Sequence, residues 1–148
     1  MIKLFADGGC RGNQEKNNIG SWGVYLEYGE HKKELSGTEI NTTNNKMELL
    51  GVINGLKAIK NKNIPVEVYL DSAYVLNGLE QWVDNWKKNN WRTSNKKPVK
   101  NKELWIELDS VRSEFNDIKY IKVKGHSGVE GNEIADRILN AAMDNMEG

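Results

Sequence analysis

Apolar side chains recur along this chain in two rhythms, and each change of rhythm marks a change of element. Ile2, Leu4 and Ala6 alternate with Lys3, Phe5 and Asp7, the two-residue period of a strand over residues 2–7. Gly8, Gly9 and Gly12 are expected to end it. Trp22, Val24, Leu26 and Tyr28 mark a second strand that stops at a turn around Gly29, and residues 32–40 make a third. So short a connection implies an antiparallel hairpin. Capping side chains from Asn41 to Asn45 then introduce a helix, with Leu49, Leu50, Ile53 and Leu56 at helical spacing to about Lys60. Pro65 precedes Val66, Val68 and Leu70, a fourth strand ending at Asp71. A helix is expected from Ser72 towards Trp86, another from about Asn101 with Leu104, Leu108 and Val111, a fifth strand over 118–124, and a last helix from near Gly131 burying Ile134, Ile138 and Ala142.

Three strands in meander order followed by alternating helix and strand define an α/β fold, a mixed sheet with helices on its faces. The strand at 66–71 follows a helical crossover, so it runs parallel to another strand of the sheet. If that neighbour is the first strand, Asp7 and Asp71 meet at one carboxyl edge, about 4.8 Å apart. This is the edge where open α/β sheets carry their sites. Glu48, in the opening turn of the crossover helix, and Asp136, in the opening turns of the last one, can face the same edge. Taken singly, each acid has a plain structural explanation: a turn former, a helix-dipole partner, a cap, a surface ion pair. Taken together these explanations weaken, because one topology gathers all four.

Such crowding is costly. Two charges about 4 Å apart repel by roughly 4 kcal/mol at an effective dielectric near 20. Protons or cations must relieve the strain. Oxygen-only ligands suit magnesium or manganese rather than zinc.

Composition adds a second feature. The 148 residues carry no formal net charge at neutral pH, which argues against attachment to nucleic acid by overall charge. Yet between Gln81 and Lys102 stand Lys87, Lys88, Arg92, Lys96, Lys97, Lys100 and Lys102 against the single acid Asp84. That segment is +6 and the remainder −6. One basic surface feature on an acidic body follows, although a merely solvated charged loop has the same composition. Beside a carboxylate cluster, a basic surface points to phosphodiester chemistry. The length suits one domain over 1–148. No apolar run approaches membrane-spanning length and the N-terminus lacks a signal-peptide layout, so a cytoplasmic location and no membrane partner are expected. Cys10, the single cysteine, excludes an intramolecular disulfide.

Four blocks now carry a resemblance along essentially the whole chain. They are Asp7-Gly8-Gly9-Cys10 with Gly12-Asn13; Thr42-Thr43-Asn44-Asn45-Lys46-Met47-Glu48-Leu49; Leu70-Asp71-Ser72 with Tyr74-Val75; and Lys124-Gly125-His126-Ser127-Gly128 with Gly131-Asn132-Glu133 and Ala135-Asp136. In this order and spacing they resemble the type 1 ribonuclease H family. The resemblance implies a ribonuclease H-like fold, five strands in the order 3-2-1-4-5 flanked by helices. It implies hydrolysis of the RNA strand of RNA–DNA hybrids, leaving 5′-phosphate and 3′-hydroxyl ends. Asp7, Glu48, Asp71 and Asp136 would hold two Mg2+ ions, with Mn2+ a possible substitute, and His126 would move protons or release product. Cys10, Asn13, Asn44, Asn45 and Glu48 would meet the RNA and the minor groove, and Thr43 and Asn101 a DNA phosphate. The segment at about 81–102 is similar to the family's protruding handle, where Trp82, Trp86, Trp91, Lys87, Lys88, Lys96 and Lys97 would follow the DNA strand. Trp82 and Trp86, four residues apart, also suit a small core within the handle. A monomer is expected.

Three positions depart from the family pattern: the loop from Gln14 to Asn18 lacks a proline-glycine run, Ala73 replaces a polar residue, and Asn41 stands where many relatives carry arginine. Two other readings share much of this pattern. A resolvase- or integrase-like nuclease would cluster acids on the same sheet but generally lacks the histidine loop and handle. A non-catalytic hybrid-binding module would have lost acids that are all present here.

Overall fold

The computed structural model describes residues 1–12, 18–93, 95–124 and 129–147. Its strands are β1 (Ile2–Arg11), β2 (Ile19–Tyr28), β3 (His31–Ile40), β4 (Val66–Leu70) and β5 (Ile118–Lys122). They form one sheet in the order β3-β2-β1-β4-β5. The meander β1-β2-β3 is antiparallel, whereas β4 and β5 join β1 in parallel, as the resemblance implies.

Helices α1 (Asn44–Lys57) and α4 (Lys102–Arg112) pack together, and α1 covers β1 and β2. This side holds the main core, in which Leu4, Val24, Leu49, Val52, Leu56, Val68, Trp105 and Leu108 are fully buried. Truncating one such leucine to alanine costs about 2–5 kcal/mol. Helix α5 (Glu130–Glu147) covers the other face of β1, β2 and β3, where Phe5 stacks on Tyr25 and Tyr69 beside Ala135. The odd-numbered Phe5 and the even-numbered Leu4 and Ala6 thus serve opposite faces, as strand alternation requires.

Three sequence expectations need correction, the first being the buried face of α5, where Ala135, Leu139 and Met143 are buried and Ile134, Ile138 and Ala142 only partly so. The glycines do not end β1: it continues through Gly8 and Gly9 to Arg11, paired with β2 as far as Ile19. Ladder hydrogen bonds to β2 outweigh the glycines' entropy, and Gly8 serves a close approach instead. A Cβ there would lie 2.5 Å from the backbone of Met47 and Glu48, so only glycine lets the start of α1 rest on the strand. The helix after Ser72 is also not uniform. It runs as α2 (Ala73–Asn77), a π-helical turn over Gly78–Trp82, and α3 (Val83–Lys88). At Gly78 a Cβ would fall 2.0 Å from the Trp105 ring, and the wider turn is a local adjustment of the kind that sequence periodicity does not reveal.

Candidate active site

The last paired residues of β1 and β4 are Ala6 and Leu70, so Asp7 and Asp71 follow side by side where the parallel ladder stops. β1 itself continues, but its pairing with β4 ends there. The juxtaposition expected from the sequence therefore stands for a slightly different reason. Asp71 is fixed by its successor, because the Ser72 hydroxyl accepts from the Val75 N–H (3.3 Å) and caps α2. Glu48 arrives from α1, whose start is pinned by Thr43: the Thr43 hydroxyl accepts from the Lys46 N–H at 3.1 Å. With Gly8 clearing the way, one carboxylate oxygen from each of Asp7, Glu48 and Asp71 lies within 4.8 Å of the other two.

Electrostatics record the crowding. Asp7 is only 8% exposed. Burial, then the charges of Asp71 and Glu48, push its pKa from 3.8 up to about 8, against the pull of the Gly8 N–H at 2.9 Å. Burial and then Asp71 raise Glu48 from 4.5 to about 7, opposed by the Ser72 hydroxyl and Lys122. Asp71 is also raised, chiefly by burial, with Lys122 and a hydrogen bond from Asp7 among the opposing influences. Without a cation these groups retain protons at pH values where a solvated carboxylate has none. An all-oxygen set of this kind fits a hard divalent cation.

Asp136, half-buried on α5, stands outside the tight trio but close enough for its charge to raise both Asp7 and Asp71. Lys122 was not anticipated. Its amino group donates to the main-chain carbonyl of Asp71, a contact set by the β4–β5 register rather than by any motif. Cys10 is half-buried on β1. Thr43, Asn44 and Asn45 join Asn18 and Thr42 around a groove of about 370 Å³. Asn101, left-handed at φ 58°, precedes α4 and donates to the Tyr74 hydroxyl at 3.2 Å. Asn13 and His126 lie outside the described residues.

On the basic segment, Trp82, Trp86 and Trp91 stack in succession, with centroids 5.8 and 6.3 Å apart, and Trp86 meets Trp105 edge-on at 5.4 Å. The packing role expected of Trp82 and Trp86 is therefore present. Trp82 and Trp86 also line a groove of about 520 Å³ with Asn85, Asn89, Arg92 and Thr93. Lys88, Lys96 and Lys97 are exposed, while Lys87 reaches back to Asp109 at 3.1 Å.

A five-stranded mixed sheet in this order, with acids converging beside its central parallel pair, defines a ribonuclease H-like α/β protein. Residues 1–144 match the family model described as RNase H. A Ribonuclease H of Clostridium botulinum is 51% identical over 144 residues, spanning 97% of this chain and 95% of that protein. One from Hydrogenovibrio crunogenus is 51% identical over 147 residues, spanning 99% and 98%. Among solved structures, LC9-RNase H1, a type 1 RNase H with the type 2 active-site motif, superposes with a TM-score of 0.85 at 30% identity, over 97% of this chain and 72% of that one. RNase H1 from Halobacterium salinarum shares the fold, with a TM-score of 0.71 at 23% identity, over 97% and 98% of the two chains. The chain belongs to the RNase H family and is an enzyme of that family.

Proposed function

We propose that this chain cuts the RNA strand of RNA–DNA hybrids by divalent-metal-assisted hydrolysis, leaving 5′-phosphate and 3′-hydroxyl ends. The observation carrying the proposal is the convergence of Asp7, Glu48 and Asp71 within 4.8 Å on a chain of this family. Their donor set suits Mg2+, with Mn2+ as substitute, and Asp136 would complete the holding of two ions. Such ions supply a water-derived nucleophile near neutral pH and stabilise charge on the leaving oxygen.

The remaining work falls to side chains. Asp7, buried between its neighbours, would hold the cations in its ionised form. Glu48 links that centre to the start of α1, so that Asn44 and Asn45, one turn away and exposed, lie where a minor groove with 2′-hydroxyls would pass. Thr43 and Asn101 would take a DNA phosphate, Cys10 and Asn13 the strand edges, and His126 the proton traffic or product release. Lys88, Lys96 and Lys97, with Lys87 when it leaves Asp109, would track the DNA strand beside the tryptophans.

The test is a set of uniformly labelled hybrid, duplex RNA and duplex DNA substrates, each with Mg2+, Mn2+ or chelator. Cleavage confined to the RNA of the hybrid, abolished by chelator, is expected. A preparation that leaves hybrids whole in both metals overturns the reading.

A further inference from the structure

Asp136 differs from the other three acids in what holds it. Asp7 and Asp71 lie where the β1–β4 ladder ends, and Glu48 rests on Gly8 through the α1 backbone. Asp136 sits on α5, whose apolar contacts are with Phe5 and Tyr25 and whose backbone meets Gly23 at Ala135 and Leu139. A separate polar ladder runs along the helix. Asp136, Asn140, Asp144 and Glu147 are spaced by four, four and three residues, so they form one stripe.

Arg11 meets that stripe from β1. One guanidinium nitrogen donates to Asp144 at 2.7 Å and to Glu147 at 3.1 Å, and the other to the Asn140 side-chain oxygen at 3.0 Å and its carbonyl at 3.4 Å. The Asn140 amide in turn donates to the main-chain carbonyl of Asp136 at 2.9 Å. Arg11 lies four strand residues beyond Asp7, roughly 13 Å along β1. Asp144 lies eight helical residues beyond Asp136, roughly 12 Å along α5. The two spans match, so a guanidinium fork docked on the stripe sets the offset between the strand bearing Asp7 and the helix bearing Asp136.

We propose that Arg11 is a positioning residue for the metal centre, holding α5 in axial register with β1 and thereby setting the distance of Asp136 from Asp7, Glu48 and Asp71. This rests on the reading of Asp136 as a metal ligand. Arg11 touches no reacting atom. Its two carboxylate partners are well exposed, at 66% and 53% of their side-chain surface, and ion pairs of that kind contribute little to global stability. Its planar fork matters for geometry, which a lysine at the same place does not reproduce.

The test compares R11A, R11K and N140A with K57A, which breaks another exposed inter-element pair, Lys57–Glu107, away from the centre. Two readouts are taken: calorimetric titration of MnCl2 into the free protein, and the Mg2+ midpoint of hybrid cleavage with kcat and KM separated. R11A is expected to raise both the manganese dissociation constant and the magnesium midpoint roughly tenfold, the low end for outer partners of metal ligands. KM for hybrid stays constant, R11K recovers only part, N140A shows a smaller shift, and K57A none. Parent-like metal binding in R11A, or an equal shift in K57A, overturns the proposal. Should R11A fail to fold, R11K against K57A gives the same decision. D136N separates the two layers. Parent-like metal binding in D136N overturns the ligand reading of Asp136, whereas impaired D136N beside unaffected R11A overturns the brace alone.

Discussion

The carboxylate centre and the basic handle both gather like charges, and they do so under opposite physical regimes. At the centre, acids are forced together in partial burial by strand pairing and a glycine contact, so burial first, and their mutual repulsion second, raise their pKa values. On the handle, lysines surround a tryptophan stack with their ammonium groups in solvent, where screening over about 8–10 Å makes repulsion cheap. A rigid, desolvated cluster selects one small hard cation and one geometry. A solvated one attracts a long polyanion and tolerates its sliding. The first suits chemistry and the second suits binding.

Breaking that contrast has its largest effect at the centre. On the proposed reading, D7N, E48Q and D71N each remove a group that would help hold the cations, and loss of several kcal/mol of transition-state stabilisation implies a fall in cleavage of ~10³-fold or more. Gel-shift affinity for hybrid should change little, and a rapid-cleaving D7N would contradict the assignment. Next in size is the handle's own core. W86A, losing contacts to Trp82, Trp91 and Trp105, should destabilise by roughly 2–4 kcal/mol, read from chemical denaturation without substrate. An unchanged unfolding midpoint would show that the stack is not a core.

The charges come third. K88A, K96A and K97A together should raise KM about tenfold, with each lost phosphate contact flattening the log–log salt dependence by ~0.9. K87A should do less, since Lys87 already has Asp109 as a partner. Equal effects from all four lysines would mean that the Asp109 pair opens freely.

A further contrast lies in stability against pH. Asp7 and Glu48 have ordinary values of 3.8 and 4.5 and folded values of about 8 and about 7. Folding therefore retains protons that the unfolded chain releases, and the stability tied to these groups is full below about pH 4 and lost as pH rises towards 8. In chelator, Tm should fall across that window, more steeply than in D7N. Added Mg2+ should release protons near pH 7, measurable by calorimetry in buffers of different ionisation enthalpy. No proton release would mean that the carboxylates are already ionised.

Reading the chain alone succeeded where one local rule governed. The alternation in β1 and the capping residues ahead of α1 each answer to neighbours within a few residues, and the mixed sheet order followed from the resemblance those blocks carry. It failed where a distant contact overrode the rule. Gly8 and Gly9 read as breakers because nothing nearby announces that β2 pairs across them or that α1 needs the space. Gly78, where the π turn begins, lies against Trp105, nearly thirty residues away.

The four acids and the charged segment are properties of the sequence, since residue identity and spacing fix which chemistry is on offer and which edge of a sheet can present it. How tightly the acids meet belongs to the tertiary structure. Asp7, Glu48 and Asp71 close up while Asp136 stands outside, and Lys122 and Arg11 enter the picture only through strand register and helix offset. Distances between elements far apart in sequence are set by packing, to which no local pattern gives access.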